Sequence, residues 1–154
     1  MIVLNLVLAL FLSFINPTEM KSVSPAKKSP ITQAECDAKP YKDKCVASLP
    51  DGYTFLKSYT IDGQNGTRKK VMYSYIFSKN TAYLVMLANG SAQTKGVKVT
   101  LKDSNRKQLA SSFANGKFYP ALAYKCNATG IYFLEFEFDG ATSFCAGSVL
   151  AFKR

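Results

Sequence analysis

The chain predicts an all-β fold, an antiparallel β-sandwich of the jelly-roll kind with about eight strands and a short N-terminal helical or irregular segment. Three observations carry this. Apolar and polar residues alternate in short runs at roughly ten-residue spacing, Asp, Asn and Gly clusters separate the runs, and no stretch keeps a helical period. The aromatics agree with it: 11 Phe and 9 Tyr with no Trp suit a half-buried pleated surface.

Taken in order, the chain opens with an apolar run from Ile2 to Ile15, interrupted only by Asn5 and Ser13. A bilayer span needs roughly 20 such residues, so this run fits the apolar part of a signal peptide instead. We expect that peptide over residues 1–22, with cleavage somewhere between Phe14 and Ala26. Pro17, Pro25 and Pro30, several serines and the pair Lys27-Lys28 follow. Such a composition gives an extended linker, placed over 23–33, ahead of a domain over 34–154. The expectation is a secreted or periplasmic protein with no transmembrane anchor after processing.

A short helical piece is expected near 40–48, closed by the turn Leu49-Pro50-Asp51-Gly52. Strands are then predicted over 53–61, 70–78, 81–88, 96–102, 107–113, 118–124, 130–138 and 144–152. The intervening turns are Asp62-Gly63-Gln64-Asn65-Gly66, Asn89-Gly90, Asp103-Ser104-Asn105, Asn115-Gly116 and Asp139-Gly140. Period-2 alternation assigns faces. Val71, Tyr73, Tyr75 and Phe77 share a side, as do Val97, Val99 and Leu101. Tyr132, Leu134, Phe136 and Phe138 line one face with Glu135 and Glu137 opposite. From Ala82 to Leu87 both faces are apolar, which marks a central strand.

Cys36, Cys45, Cys126 and Cys145 make an even count in a small exported chain, and this points to two disulfides. Three connectivities are open. Cys36–Cys45 with Cys126–Cys145 is favoured because each closes a short loop, worth roughly 3 kcal/mol apiece by chain entropy.

Several of these segments resemble a known family. They are Tyr75-Ile76-Phe77, then Val97-Lys98-Val99-Thr100-Leu101-Lys102-Asp103-Ser104-Asn105, then Gln108-Leu109-Ala110-Ser111-Ser112, and Ala128-Thr129-Gly130-Ile131-Tyr132-Phe133. Over about residues 70–154 the chain resembles the secreted bacterial pre-peptidase C-terminal type of β-sandwich and related jelly-roll modules. The resemblance implies a non-catalytic accessory or adhesion role and names no ligand. The chain departs from that family in carrying Cys126 and Cys145, and no attached enzyme is expected.

The residues themselves argue against catalysis. There is no His, which removes the commonest general base and metal ligand, and no G-x-S-x-G elbow is present. Glu135 and Glu137 share a strand face as paired carboxylates would, but lysines such as Lys98 or Lys102 on a neighbouring strand would neutralise them. The loops at Asp62 and Asp103 are oxygen-rich, yet turn chemistry accounts for both. No metal and no cofactor are expected.

A net charge of +10 suits an anionic partner. The candidate ligand-binding residues are Arg68, Lys69, Lys70, Arg106 and Lys107, with Lys153-Arg154 as a further basic pair. Partners would be an anionic glycan or a protein. Nucleic acid is not expected, since no such motif occurs. Sequons begin at Asn65, Asn89 and Asn127 and matter in a eukaryotic secretory pathway. The function expected is an exported binding or adhesion module for an anionic or carbohydrate ligand. The alternative is a structural envelope protein that self-associates or joins a larger complex.

Overall fold

A computed structural model describes residues 35–91 and 94–154. The signal peptide expected over 1–22 and the linker over 23–33 lie outside the described residues. One short helix, α1 (Lys39–Ala47), precedes ten strands. They are β1 (Thr54–Asp62), β2 (Lys70–Phe77), β3 (Ala82–Asn89), β4 (Val97–Lys102) and β5 (Gln108–Ser111), then β6 (Phe113–Ala114), β7 (Lys117–Phe118), β8 (Ala121–Lys125), β9 (Gly130–Phe138) and β10 (Cys145–Lys153). Eight of them form two four-stranded antiparallel sheets, ordered β1-β10-β3-β8 and β2-β9-β4-β5, while β6 and β7 make a separate ribbon.

The order has a simple origin. β4 pairs with β5, β3 with β8, β2 with β9 and β1 with β10. The chain is therefore one long hairpin, rolled so that successive rungs fall alternately in the two sheets. The contacts β10–β3 and β9–β4 close the roll. This is jelly-roll topology.

Alternation fills the interior as the sequence predicts. Val71, Tyr73, Tyr75 and Phe77 face Tyr59, Ile61, Tyr83, Val85 and Leu87 across the sandwich, together with Val97, Val99, Leu101, Leu134 and Phe136. Phe77 joins the two sheets, its ring stacked 3.8 Å from Tyr83 and 4.9 Å from Tyr132. Fully burying a side chain of this size is worth about 1.5–3 kcal/mol.

Two predicted strands divide, each for a local reason. The run 107–113 breaks at Ser112, whose buried Oγ accepts the Val99 N–H at 2.9 Å. The chain there turns from β5 into β6. The run 118–124 breaks at Pro120, which lacks an N–H for the ladder, so β7 ends at Phe118 and β8 starts at Ala121.

Helix α1 lies on the outer face of the β1-β10-β3-β8 sheet. Pro40 is tolerated in its first turn, and Pro50 follows its end. Tyr41, Cys45 and Leu49, spaced by four, pack with Met86, Ala88 and Val149. The approach is close: a Cβ on Gly147 would stand 2.7 Å from the Lys42 backbone nitrogen. Only a residue without a side chain lets the helix sit there.

The cysteines differ from expectation. Cys36 bonds to Cys145, while Cys45 and Cys126 are buried thiols. The favoured Cys36–Cys45 and Cys126–Cys145 pairs do not form, and topology gives the reason. Cys145 begins β10 opposite Asp62, whereas Cys126 follows Lys125, which shares a row with Lys153 at the other end of β10. Eight strand residues at about 3.3 Å each put those two ends about 26 Å apart, far beyond disulfide reach. Cys45 faces the sheet, its thiol 3.8 Å from the Gly147 carbonyl oxygen.

Candidate binding face

The outer faces of the two sheets differ. Helix α1 covers much of one; on the other, Phe113 of β6 reaches over Lys98 at one corner, while Met72, Ile76 and Ile131 are exposed. On this β2-β9-β4-β5 face, register aligns the outward side chains in rows. At one end Lys70, Glu137 and Lys98 form a row, and the next holds Met72, Glu135 and Thr100. Then come Ser74, Phe133 and Lys102, and finally Ile76 with Ile131.

The first rows are an ion-pair ladder. Lys70 Nζ lies 3.2 Å from Glu137 and 3.7 Å from Glu135, and Lys102 donates to Glu135 at 2.9 Å. Lys98 reaches Glu137 at 3.8 Å and donates to Asp139 at 2.9 Å. The Lys102 hydrogen bond, ahead of the charge of Lys70, holds the Glu135 carboxyl below the usual carboxylate range despite its burial. A carboxylate held ionised in this way is a poor general acid, so the glycosidase reading of Glu135 and Glu137 finds no support here. The lysines face them as their strand positions predict.

The β2 side and the far end of the face are apolar and open. Ile76 is 63% exposed and Ile131 51% in the last row, and Met72 of the second row is 40% exposed. Above them lies Arg106, delivered by the turn between β4 and β5. The Asp103 carboxylate accepts the N–H groups of Asn105 and Lys107, and the Arg106 N–H donates to the Asp103 carbonyl. Arg106 itself takes φ 64°, a conformation uncommon for a residue with a Cβ. That backbone aims the side chain back over the sheet. Its guanidinium stands 3.7 Å from the Phe133 ring centroid and touches Met72 Sδ. The contact is a cation–π stack worth on the order of 1 kcal/mol.

All five predicted ligand-binding residues are exposed, but the fold does not gather them. Arg68, Lys69 and Lys70 enter β2 at the ladder end, and Lys70 is occupied by two carboxylates. Arg106 and Lys107 belong to the turn at the opposite end. Met72, Ile76, Ile131 and Phe133 were not singled out from the sequence. Their signal was available in apolar residues at positions the alternation turns outward.

Topology also builds a basic row that sequence order hides. On the other sheet Lys153 and Lys125 flank Ala82 directly, about 10 Å apart across two strand spacings. Among the described residues neither enters an ion pair.

The fold and this face define an antiparallel jelly-roll sandwich with one largely open sheet surface. No protein-family model matches the chain, and no curated protein matches it. The pre-peptidase C-terminal resemblance therefore stands on its strand patterns alone. Among solved structures the chain is similar to Aeromonas hydrophila PliG, a periplasmic lysozyme inhibitor of g-type lysozyme. The TM-score is 0.44 at 9% identity, covering 66% of this chain and 87% of that one.

Proposed function

We propose that the chain is an exported, non-catalytic module that binds a protein partner through the outer face of the β2-β9-β4-β5 sheet. The observation carrying this is the exposed group Met72, Ile76 and Ile131 around the Arg106–Phe133 stack. Aromatic residues, Met and Arg are the types enriched where proteins meet. Contiguous exposed apolar side chains rimmed by charge mark interaction surfaces. Export is supported by the Cys36–Cys145 disulfide, a bond that persists in oxidising compartments. No described helix is long and apolar enough to cross a membrane.

The test uses biotinylated parent protein, an Ile131→Glu variant and a Lys44→Gln variant on the helix side, each incubated with secreted or periplasmic material from producing cells. Proteins retained by the parent and by Lys44→Gln but lost with Ile131→Glu support the reading. Identical retention by all three refutes it.

An anionic ligand is a second reading, favoured by one observation: Lys153 and Lys125 flank Ala82, and among the described residues neither enters an ion pair. It places the polyanion on the opposite sheet from the clusters at Arg68–Lys70 and Arg106–Lys107.

A further inference from the structure

β2 ends its sheet, and its free side is unusually open. Eight consecutive residues pair with β9 without a register shift. The Phe138 N–H donates to the Lys69 carbonyl, which fixes the alternation. Val71, Tyr73, Tyr75 and Phe77 spend their backbone groups on β9. Lys70, Met72, Ser74 and Ile76 turn theirs outward, and among the described residues no backbone group meets them.

The other three edges carry the usual protections. β1 is bulged between Phe55 and Lys57, β5 has only four residues and a shift at Leu101/Lys102, and β8 has five residues. From Val71 to Phe77, β2 has no proline, no bulge and no charged side chain.

We infer that β2 pairs antiparallel with β2 of a second copy of this chain, making a two-fold dimer with one continuous eight-stranded sheet. Two features select a copy rather than an unrelated strand. The first is charge. At +10 overall two copies repel, except where lysines are already cancelled, and this flank holds the Lys70, Lys98 and Lys102 ladder with its three acidic partners. The second is self-complementarity. Centring the pairing on Ser74 sets Ser74 against its counterpart and Met72 against Ile76, apolar on apolar. The residues with outward N–H and C=O groups then meet each other. Lys70 falls opposite uncharged, exposed Ser78, so within the strand no like charges face; Lys69 and Lys79 meet only beyond its two ends. The inference goes beyond the proposed function and does not depend on it. Edge pairing leaves both Arg106–Phe133 faces open, side by side on one surface.

The experiment measures the mass of the oxidised chain by light scattering and sedimentation from about 1 to 100 μM, since a dimer of this kind follows mass action. A concentration-dependent dimer is expected. Ser74→Lys sets two lysines against each other on the axis and should weaken association by about tenfold or more, whereas Ser74→Thr should leave it intact. Far-ultraviolet circular dichroism and the melting temperature check that both variants fold. Hydrogen exchange supplies the positional readout. Between low and high concentration, protection should rise at Met72, Ser74 and Ile76 and stay unchanged at Val71 and Tyr73. A parent that is monomeric at the highest concentration overturns the inference. So does a dimer whose Met72, Ser74 and Ile76 amides exchange freely, or one that survives Ser74→Lys, because association would then use another surface.

Discussion

Replacing Cys36 and Cys145 together with serine removes the one cross-link in the described structure and gives the sharpest test of its connectivity. The bond spans 109 residues of sequence. Closing a loop of that length removes denatured-state entropy worth about 5 kcal/mol at 25 °C in the chain-entropy model. The short pairs expected from sequence would give only roughly 3 kcal/mol each. A domain of this size has about 5–15 kcal/mol in all, so the double variant should lie close to the edge of folding. Urea denaturation of oxidised parent and double variant, fitted with a common slope, measures the difference. Thiol titration adds a second readout. The oxidised parent should yield two thiols after denaturation, Cys45 and Cys126. In the native protein Cys45 should react slowly, since burial pushes its thiol up to about 11. A destabilisation below about 1 kcal/mol would refute the long-loop argument. Peptide mapping that links Cys36 to Cys45 would refute the topology behind it.

Other expectations can be checked on the same material. Gly147→Ala should cost about 1–3 kcal/mol in urea denaturation, because the new methyl meets the α1 backbone at Lys42 rather than a movable side chain. Glu135→Gln should lower the melting temperature at neutral pH. The folded carboxyl is held below its usual range by Lys102, so its contribution is complete above the unfolded value near pH 4.3 and fades as pH falls further. The gap between parent and variant should therefore narrow below about pH 4, and a gap that is constant with pH would contradict the ladder. On a heparin column, Lys125→Gln with Lys153→Gln should shorten retention, and Lys70→Gln should change it far less, since Lys70 already faces two glutamates. The reverse order would return the anionic site to the loop-to-strand junction.

What the sequence reveals here is what repeats every two residues. Val97, Val99 and Leu101 point inward, Glu135 and Glu137 outward, and the β9 boundaries fall at Gly130 and Phe138 as expected. Each of these is a local property of the pleat, written along one strand. Relations between strands distant in sequence are not written that way. Cys36 meets Cys145, and Lys125 meets the row of Lys153, only because the hairpin rolls up. Short-loop reasoning about cysteines fails for the same reason. The open apolar face was half legible: alternation turns Met72, Ile76, Ile131 and Phe133 outward, but only the fold shows that Met72, Ile76 and Ile131 stay exposed while Arg106 lies over Phe133.

The rolled hairpin also orders events in time. Of its four rungs only β4–β5 joins neighbours in sequence, and each later rung closes a longer loop, out to β1 with β10. A chain dominated by such distant pairings folds in milliseconds to seconds rather than microseconds, and its most accessible nucleus is the β4–β5 turn held by Asp103. The Cys36–Cys145 bond clasps the opposite, outermost end of the roll, the rung that closes the longest loop. Stabilisation confined to late contacts acts on the escape rate. On that order the clasp is expected to act as a kinetic lock, its loss speeding opening more than it slows closure.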